Sequence, residues 1–579
     1  MISFFIMMLL GLNGYCKQLV LATIPQNITE KDAIFVDMTV KQVNNMKKLC
    51  KVWGFVKYTH QSFILGLKDW DAELINLIPL VCFSDENIVN EILYNWLKAL
   101  NNNGYQLILD SINFKNDEVS TRQLANIEWI EKDYLGDDLS IALLRLYKSH
   151  EIDRSKAPVY FNEKGTCVFL NEKAYINMDF TDYKYRLLGL FRLWNAMEYY
   201  FPYRDILEDD WNELLYEFIT KILEGTDSQS YISTLTILAS KLHDAHINIR
   251  QSNSSQLDIF TYNYGDALAP VKLTVSEKQL VVKTVDSNYG ECPLLMGDII
   301  LRLNGIDIKV LIKDMLKYVP YPNDENALSY LIYKHDILRQ KSHIIPMTID
   351  VLRDDLEMKL FIKSFKSSNM DIRPSKKIQS HELLDNNIGL INPGSISSSA
   401  EIHNIMKKFD CTDGLIIDLR QYPRFPILYQ LSEYLLVKKQ PFAIFLTPII
   451  GIPGVFKYSN LVEAGGSNNT KSYFYEKEVV ILMDIMTVSQ AETTIMALRN
   501  GPNVHVMGKK SMGANGDVAN LPLPGGFIIY FSGFGVYYPD GSQTQCLGLS
   551  PDIFIEQSLA GIRNGIDEFL ENAIRFITK

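Results

Sequence analysis

From Lys47 the chain places aromatic and aliphatic residues at helical spacing through KKLCKVWGFVKYTHQSFILGLKDWDAELINLIPL. The same texture returns from Tyr185 in YRLLGLFRLWNAMEYYFPYRDILEDDWNELLYEFI. Apolar residues recurring every three or four positions bury one side of a helix. Trp53 and Trp70 are 17 positions apart, as are Trp194 and Trp211, and Tyr58 and Leu74 recur as Tyr199 and Leu215 at the same 141-residue offset. The pattern predicts a duplicated helical unit, two tandem modules rather than a solenoid, with these residues packing its core. The second unit continues through LASKLHDAHINIR to about Arg250, and the polar stretch QSNSSQ at 251–256 marks a boundary.

From about Leu268 the period shortens. VKLTV, QLVVKTV, DIILRLNG, PMTIDVLR and MKLFIKSF are short β-branched runs between turn residues, and they predict a small β-domain. Residues 295–305, LMGDIILRLNG, enter a strand through Gly-Asp and leave it through an Asn-Gly hairpin signal. PSKKIQS at 374–380 is a linker, and strands then alternate with helices. IGLIN (388–392), GLIIDLR (414–420) and VVILMD (479–484) are strands; AEIHNIMKKF (400–409), ILYQLSEYLLV (427–437) and SQAETTIMALRN (489–500) are helices. Near-continuous apolar strands alternating with helices predict a sheet covered on both faces.

The fold class is multidomain α+β. Its segments are a signal peptide over 1–16, an N-terminal module over 17–180, a second helical unit over 181–255, a β-domain over 266–366 and an α/β core over 380–579. The apolar run at 2–12, ISFFIMMLLGL, has the length of a signal-peptide core and is too short to span a bilayer. It predicts export, and Cys16 adds a lipid anchor as a minor option.

At 579 residues with 47% hydrophobic and 22% charged side chains, the chain is an ordinary globular protein of several domains. Its net charge of −11 argues against nucleic acid as a partner. Seven scattered cysteines, without CxxC pairs or histidine at ligand spacing, predict buried free thiols rather than zinc or a disulfide framework. No metal or organic cofactor is implied, since no phosphate loop is present either.

The most informative stretch is VVILMDIMTVSQAETTIMAL. A buried strand ends at Asp484 and Ser489 opens a helix. Ser489 with Glu492 three residues on is a capping box, which by itself is sufficient structural reason for both. The same position would also put a hydroxyl in the crevice at the sheet's carboxyl edge, beside backbone N–H groups that can hold an oxyanion.

Residues 295–305 resemble the GD-x-I-x-x-I-N-G element of PDZ domains. The C-terminal half resembles the carboxyl-terminal processing (tail-specific) peptidases, in their tricorn-core-like branch. The matching motifs are Ser489-Gln490-Ala491-Glu492, Asp418-Leu419-Arg420, the glycine turn 508–513, Pro539-Asp540-Gly541 and Gly548-Leu549-Ser550-Pro551-Asp552. The resemblance covers roughly 185–575 and implies a ClpP/crotonase-like core acting on protein or peptide substrates. It implies Ser489 as nucleophile and a bacterial periplasmic or envelope location. Ala514 occupies the place of the family's lysine base, and Lys509 and Lys510 lie outside the motif. The tricorn-like branch takes its base from a histidine in L-x-D-x-H, matched by Leu242-His243-Asp244-Ala245-His246. That implies His246 as base, with His243 local and Asp244 a turn residue. Gln545 stands where a glutamate would orient the ring. Pro423 stands in the oxyanion turn, so the N–H donors would be Gln490 and Arg424, or Phe425 in place of Arg424. The losses at 514, 545 and 423 leave a second class open: a catalytically inactive relative that binds peptides or apolar ligands.

Overall fold

The structure, a computed structural model, describes residues 38–100, 121–147, 154–252, 258–370, 378–466 and 473–579. The apolar run at 2–12 and Cys16 lie outside the described residues. No helix among the described residues is long and apolar enough to cross a membrane.

The first helical unit comprises α1 (Val40–Thr59), α2 (Trp70–Cys82) and α3 (Glu86–Leu100). The second comprises α4 (Tyr183–Tyr200), α5 (Trp211–Glu224) and α6 (Ser228–Ser240). The repeat read from the sequence is present as geometry. Trp53 Nε1 donates to the Trp70 carbonyl at 2.8 Å, and Trp194 Nε1 donates to the Trp211 carbonyl at the same 2.8 Å. Asp69 caps α2 and Asp210 caps α5, each accepting two N–H groups of the first turn. The units pack reciprocally, α1 against α5 and α4 against α2. Gly54 meets its own repeat equivalent, Asn195, at the crossing of α1 and α4. A Cβ on Gly54 would lie 1.8 Å from Asn195 Oδ1, so only glycine allows the approach.

After α6 the chain turns through 241–247 into strand β1 (Asn248–Gln251). Next comes an antiparallel sheet of β2 (Val271–Ser276), β3 (Gln279–Val285), β4 (Ile299–Leu303), β5 (Met347–Arg353) and β6 (Leu356–Ile362), in the order β6-β5-β4-β3-β2. Helices α7 (Ile308–Leu316) and α8 (Ala327–Lys334) interrupt it between β4 and β5. An open groove of about 840 Å³ runs between β4 and α7.

The core sheet contains β7 (His381–Leu383), β8 (Ile388–Ile391), β9 (Gly414–Asp418), β11 (Glu478–Met483), β12 (Val504–Gly508) and β15 (Ile553–Phe554), in that spatial order. Its strands are parallel except for the β7–β8 pair. Helices α9 (Ser399–Lys408), α10 (Leu428–Leu435) and α11 (Gln490–Leu498) cover one face; α12 (Glu568–Ile577) covers the other. Alternation along β11 shows why the run is apolar throughout. Val479, Ile481 and Met483 pack under α11, while Val480 and Leu482 pack under α12. Beside this layer β10 (Gln440–Pro448) is the central strand of a second sheet, antiparallel to the short strands at 455–458, 462–464 and 535–537.

One feature was absent from the sequence reading. Strands β13 (Val518–Leu523) and β14 (Phe527–Ser532) form a hairpin, and β1 joins it as the third strand, in the order β13-β14-β1. The pairing of Tyr530 with Asn248 carries the end of the second helical unit onto the core. The cysteine expectation holds in part. Among the described residues all six are free thiols, but Cys50, Cys82 and Cys167 are buried, Cys292 and Cys546 are half-buried and Cys411 is exposed.

Candidate functional site

β11 ends at Met483, the chain turns through 484–488, and α11 starts directly after Ser489. Ser489 has φ 56° and ψ −120°, a backbone conformation that favours glycine. Several contacts force it there. Its N–H donates to the Ala514 carbonyl at 2.8 Å and to Glu492 Oε2 at 3.2 Å, the second bond belonging to the predicted capping box. Its Oγ lies 3.5 Å from the Gly516 carbonyl oxygen and keeps partial contact with solvent.

Glu492 is fully buried and serves as more than a cap. Its carboxylate accepts from the N–H groups of Gly513 (2.8 Å) and Ala514 (3.1 Å), and from the Ser511 hydroxyl. The 511–516 turn is thus folded around the start of α11. Gly513, at φ 78°, lets that turn pass the Cys546–Gly548 segment, where a Cβ would lie 2.7 Å from the Gly548 nitrogen. Burial pushes the Glu492 carboxyl up to about 7, its hydrogen bonds offsetting part of the cost.

His246 follows the turn that ends α6, and it sits beside the last residue of β14. Its Nδ1 is 2.9 Å from Ser532 Oγ and 3.4 Å from Asp244 Oδ1. Its Nε2 is buried and has no hydrogen-bond partner. Ser489 and His246 are therefore not hydrogen-bonded to each other. The hairpin nonetheless links their surroundings. Gly516, beside the Ser489 hydroxyl, is followed by Asp517, whose carbonyl accepts the Gly533 N–H at 2.7 Å, and Gly533 adjoins Ser532.

The structure corrects three sequence readings. Gln545 makes no bond to the His246 ring: its Nε2 donates to Asp244 Oδ1 at 3.3 Å, and its Oε1 is buried without a partner. Asp244 is more than a turn residue. Fully buried, it accepts the Ser532 N–H (2.7 Å), the Ser532 hydroxyl (3.0 Å) and the His246 N–H (3.1 Å). Arg424 is not a free donor, because its N–H is taken by the Pro393 carbonyl at 3.3 Å. Among the described residues, the N–H groups of Phe425 and Gln490 take no partner. The Gln490 amide holds the Phe425 carbonyl at 3.2 Å, which sets the two beside each other. Asp418 and Arg420 form a forked pair that Asp567 extends from α12, so this motif braces the layer behind the loop. Lys509 is bound to Glu556 at 2.6 Å and Lys510 is exposed. His243 Nδ1 meets the Tyr321 carbonyl at 2.8 Å, a contact across 78 positions rather than a local one. No group of three or more His, Cys, Asp or Glu converges as metal ligands would among the described residues.

Sequence reasoning missed Ser532 altogether. It stands at the end of a strand with no motif around it, 286 residues from His246.

The site thus combines a strained serine at a helix start with a buried imidazole nitrogen that has no hydrogen-bond partner. Residues 453–555 match the model of peptidase family S41, a segment that includes Ser489, Gln490, Glu492 and Gln545. That segment is similar to part of an S41 peptidase core, the class that the chain's motifs also resemble. None of the curated proteins matches the chain. Among solved structures, mature CPAF complexed with lactacystin aligns at TM-score 0.51 and 12% identity, over 68% of this chain and 98% of that one. A CPAF mutant aligns at TM-score 0.53 and 12% identity, over 69% and 98%. The photosystem II D1 C-terminal processing protease aligns at TM-score 0.39 and 14% identity, over 66% and 96%. The CPAF likenesses establish a shared fold.

Proposed function

We propose that the protein is a serine endopeptidase of the C-terminal processing type, in which Ser489 attacks the peptide carbonyl and His246 is the general base. The observation that carries this reading is the backbone of Ser489. A non-glycine residue at φ 56° and ψ −120° is strained, and such strain persists where the surroundings impose it, commonly at nucleophiles on strand-to-helix turns. His246 Nε2, buried without a partner, is the atom that would take the Ser489 proton. Substrate closure would shorten that approach, as is common for catalytic hydrogen bonds that are long without substrate. The Gln490 and Phe425 N–H groups would hold the tetrahedral oxyanion, Phe425 replacing Arg424. The protonated imidazole would then give its proton to the leaving amine, and water would release the acyl group by the reverse sequence.

The 266–366 module would act as a PDZ-like dock, its groove between β4 and α7 taking an extended segment of substrate. The apolar run at 2–12 supports export, with the cell envelope as the site of action.

A fluorophosphonate probe and a quenched peptide library test the reading together. The wild type is expected to be labelled and to cleave. Ser489→Ala should lose the label and roughly 10⁴-fold or more in turnover. An unlabelled, inactive wild type that still binds peptides would instead assign the chain to the inactive binding class.

A further inference from the structure

The carboxylate expected to support the histidine is missing at 545, yet the site contains one from elsewhere. We propose that Asp244, acting through the Ser532 hydroxyl, is the positioning residue that fixes the His246 tautomer and stabilises its protonated form. The inference rests on the assignment of His246 as base.

The hydrogen-bond inventory determines the tautomer. Asp244 accepts from Ser532 N–H, Ser532 O–H, His246 N–H and Gln545 Nε2. With its one proton donated to Asp244 at 3.0 Å, Ser532 Oγ can only accept from the ring atom 2.9 Å away. Nδ1 therefore carries the hydrogen, and Nε2 presents its lone pair. When Nε2 takes the Ser489 proton, the imidazolium keeps its Nδ1–H on Ser532. The new positive charge then lies 3.4 Å from the Asp244 carboxylate, which is itself fully buried. Asp244 stays ionised throughout. Burial would raise its pKa, but the His246 ring and the N–H groups pointing at it hold the carboxyl below its ordinary range.

The same pocket explains why glutamine serves at 545. A glutamate there would place a second carboxylate 3.3 Å from the first, whereas the amide donates to it. Other titratable groups approach from neighbouring elements. Tyr330 and Lys334 come from α8, Arg250 from β1, Tyr203 from the segment after α4 and Cys546 from the loop beside Gln545. Burial depresses Lys334 to about 8 and raises the Cys546 thiol to about 12, so neither produces an acid limb.

Peptide hydrolysis by Asp244→Asn, Ser532→Ala, His246→Ala and the double variant Asp244→Asn/Gln545→Glu tests the proposal, with circular dichroism melts as the fold control. Asp244→Asn should lose about 10³–10⁴-fold in kcat with KM little changed, and its acid limb should move to lower pH because the imidazolium has lost its carboxylate. Ser532→Ala, which leaves both ionisable partners, should lose about 10–100-fold. It keeps the test open if Asp244→Asn does not fold. The double variant exchanges amide and carboxylate across a 3.3 Å contact and should recover at least 10-fold over Asp244→Asn. Folded Asp244→Asn and Ser532→Ala proteins with wild-type kcat and an unmoved acid limb would overturn the positioning role while His246→Ala is inactive. A fully active His246→Ala would instead overturn the base assignment beneath it.

Discussion

At Ser489 the backbone strain and the function oppose each other. Glycine tolerates φ 56° and ψ −120° without a Cβ penalty, so Ser489→Gly should stabilise the fold by about 1–2 kcal/mol while abolishing hydrolysis. Ser489→Ala keeps the strain, so its urea midpoint should stay near that of wild type. Comparing the two midpoints separates backbone cost from hydroxyl chemistry. Glu492 gives a second prediction. Burial raises its folded pKa to about 7, above the ordinary glutamate value of 4.5. A raised carboxyl contributes stability fully below the unfolded value and loses it as pH rises through the folded one. Stability should thus carry a downward component between about pH 4.5 and pH 7, and Glu492→Gln should flatten it in urea titrations run across that range. Ser489 and Glu492 were legible because four consecutive residues state both the helix start and the motif. Asp244 and Ser532 were not, because their meaning comes from a contact across 288 positions. Arg424 was misassigned for a related reason: local sequence does not reveal that Pro393 takes its N–H.

Among elements, period alone located most of the core. Predicted 388–392, 414–420 and 479–484 became β8, β9 and β11 within two residues at each end, and the six helical or strand runs alternate as expected. The hairpin of β13 and β14 was not anticipated. Pro522 and the Gly525-Gly526 turn break its pattern, and its third strand β1 comes from the INIR tail of a helical unit. The duplicated caps supply a test at this scale. Asp69→Ala and Asp210→Ala each remove a side-chain acceptor from a first helical turn, and each should cost about 1 kcal/mol. Similar losses in thermal melts would mark the two units as energetic as well as geometric repeats.

Over the whole molecule, one buried set of charges joins the two repeats to the site-bearing hairpin. Arg192 of α4 bonds Asp71 of α2 at 2.7 Å and meets Glu172 at 3.0 Å, and it donates to the Pro522 carbonyl of β13 at 2.9 Å. Lys57 of α1 completes the set against Glu172 at 2.5 Å. Removing one partner strands the others in a dry interior. Arg192→Met should therefore cost about 3–5 kcal/mol in urea unfolding, against well under 1 kcal/mol for the exposed pair Lys221–Glu217. The sequence reading did not single out Arg192 or Asp71, because an ion pair between repeats has no local pattern.

The β1–β14 pairing also imposes an order in time. His246 leaves the ribosome 243 residues before Ser489, and the strand that receives β1 is made later still. At ordinary synthesis rates that interval is roughly 10–50 s, during which the emerging chain holds the proposed base without the proposed nucleophile. On the proposed roles, a product that stops before residue 489 carries no attacking hydroxyl and leaves its neighbours intact.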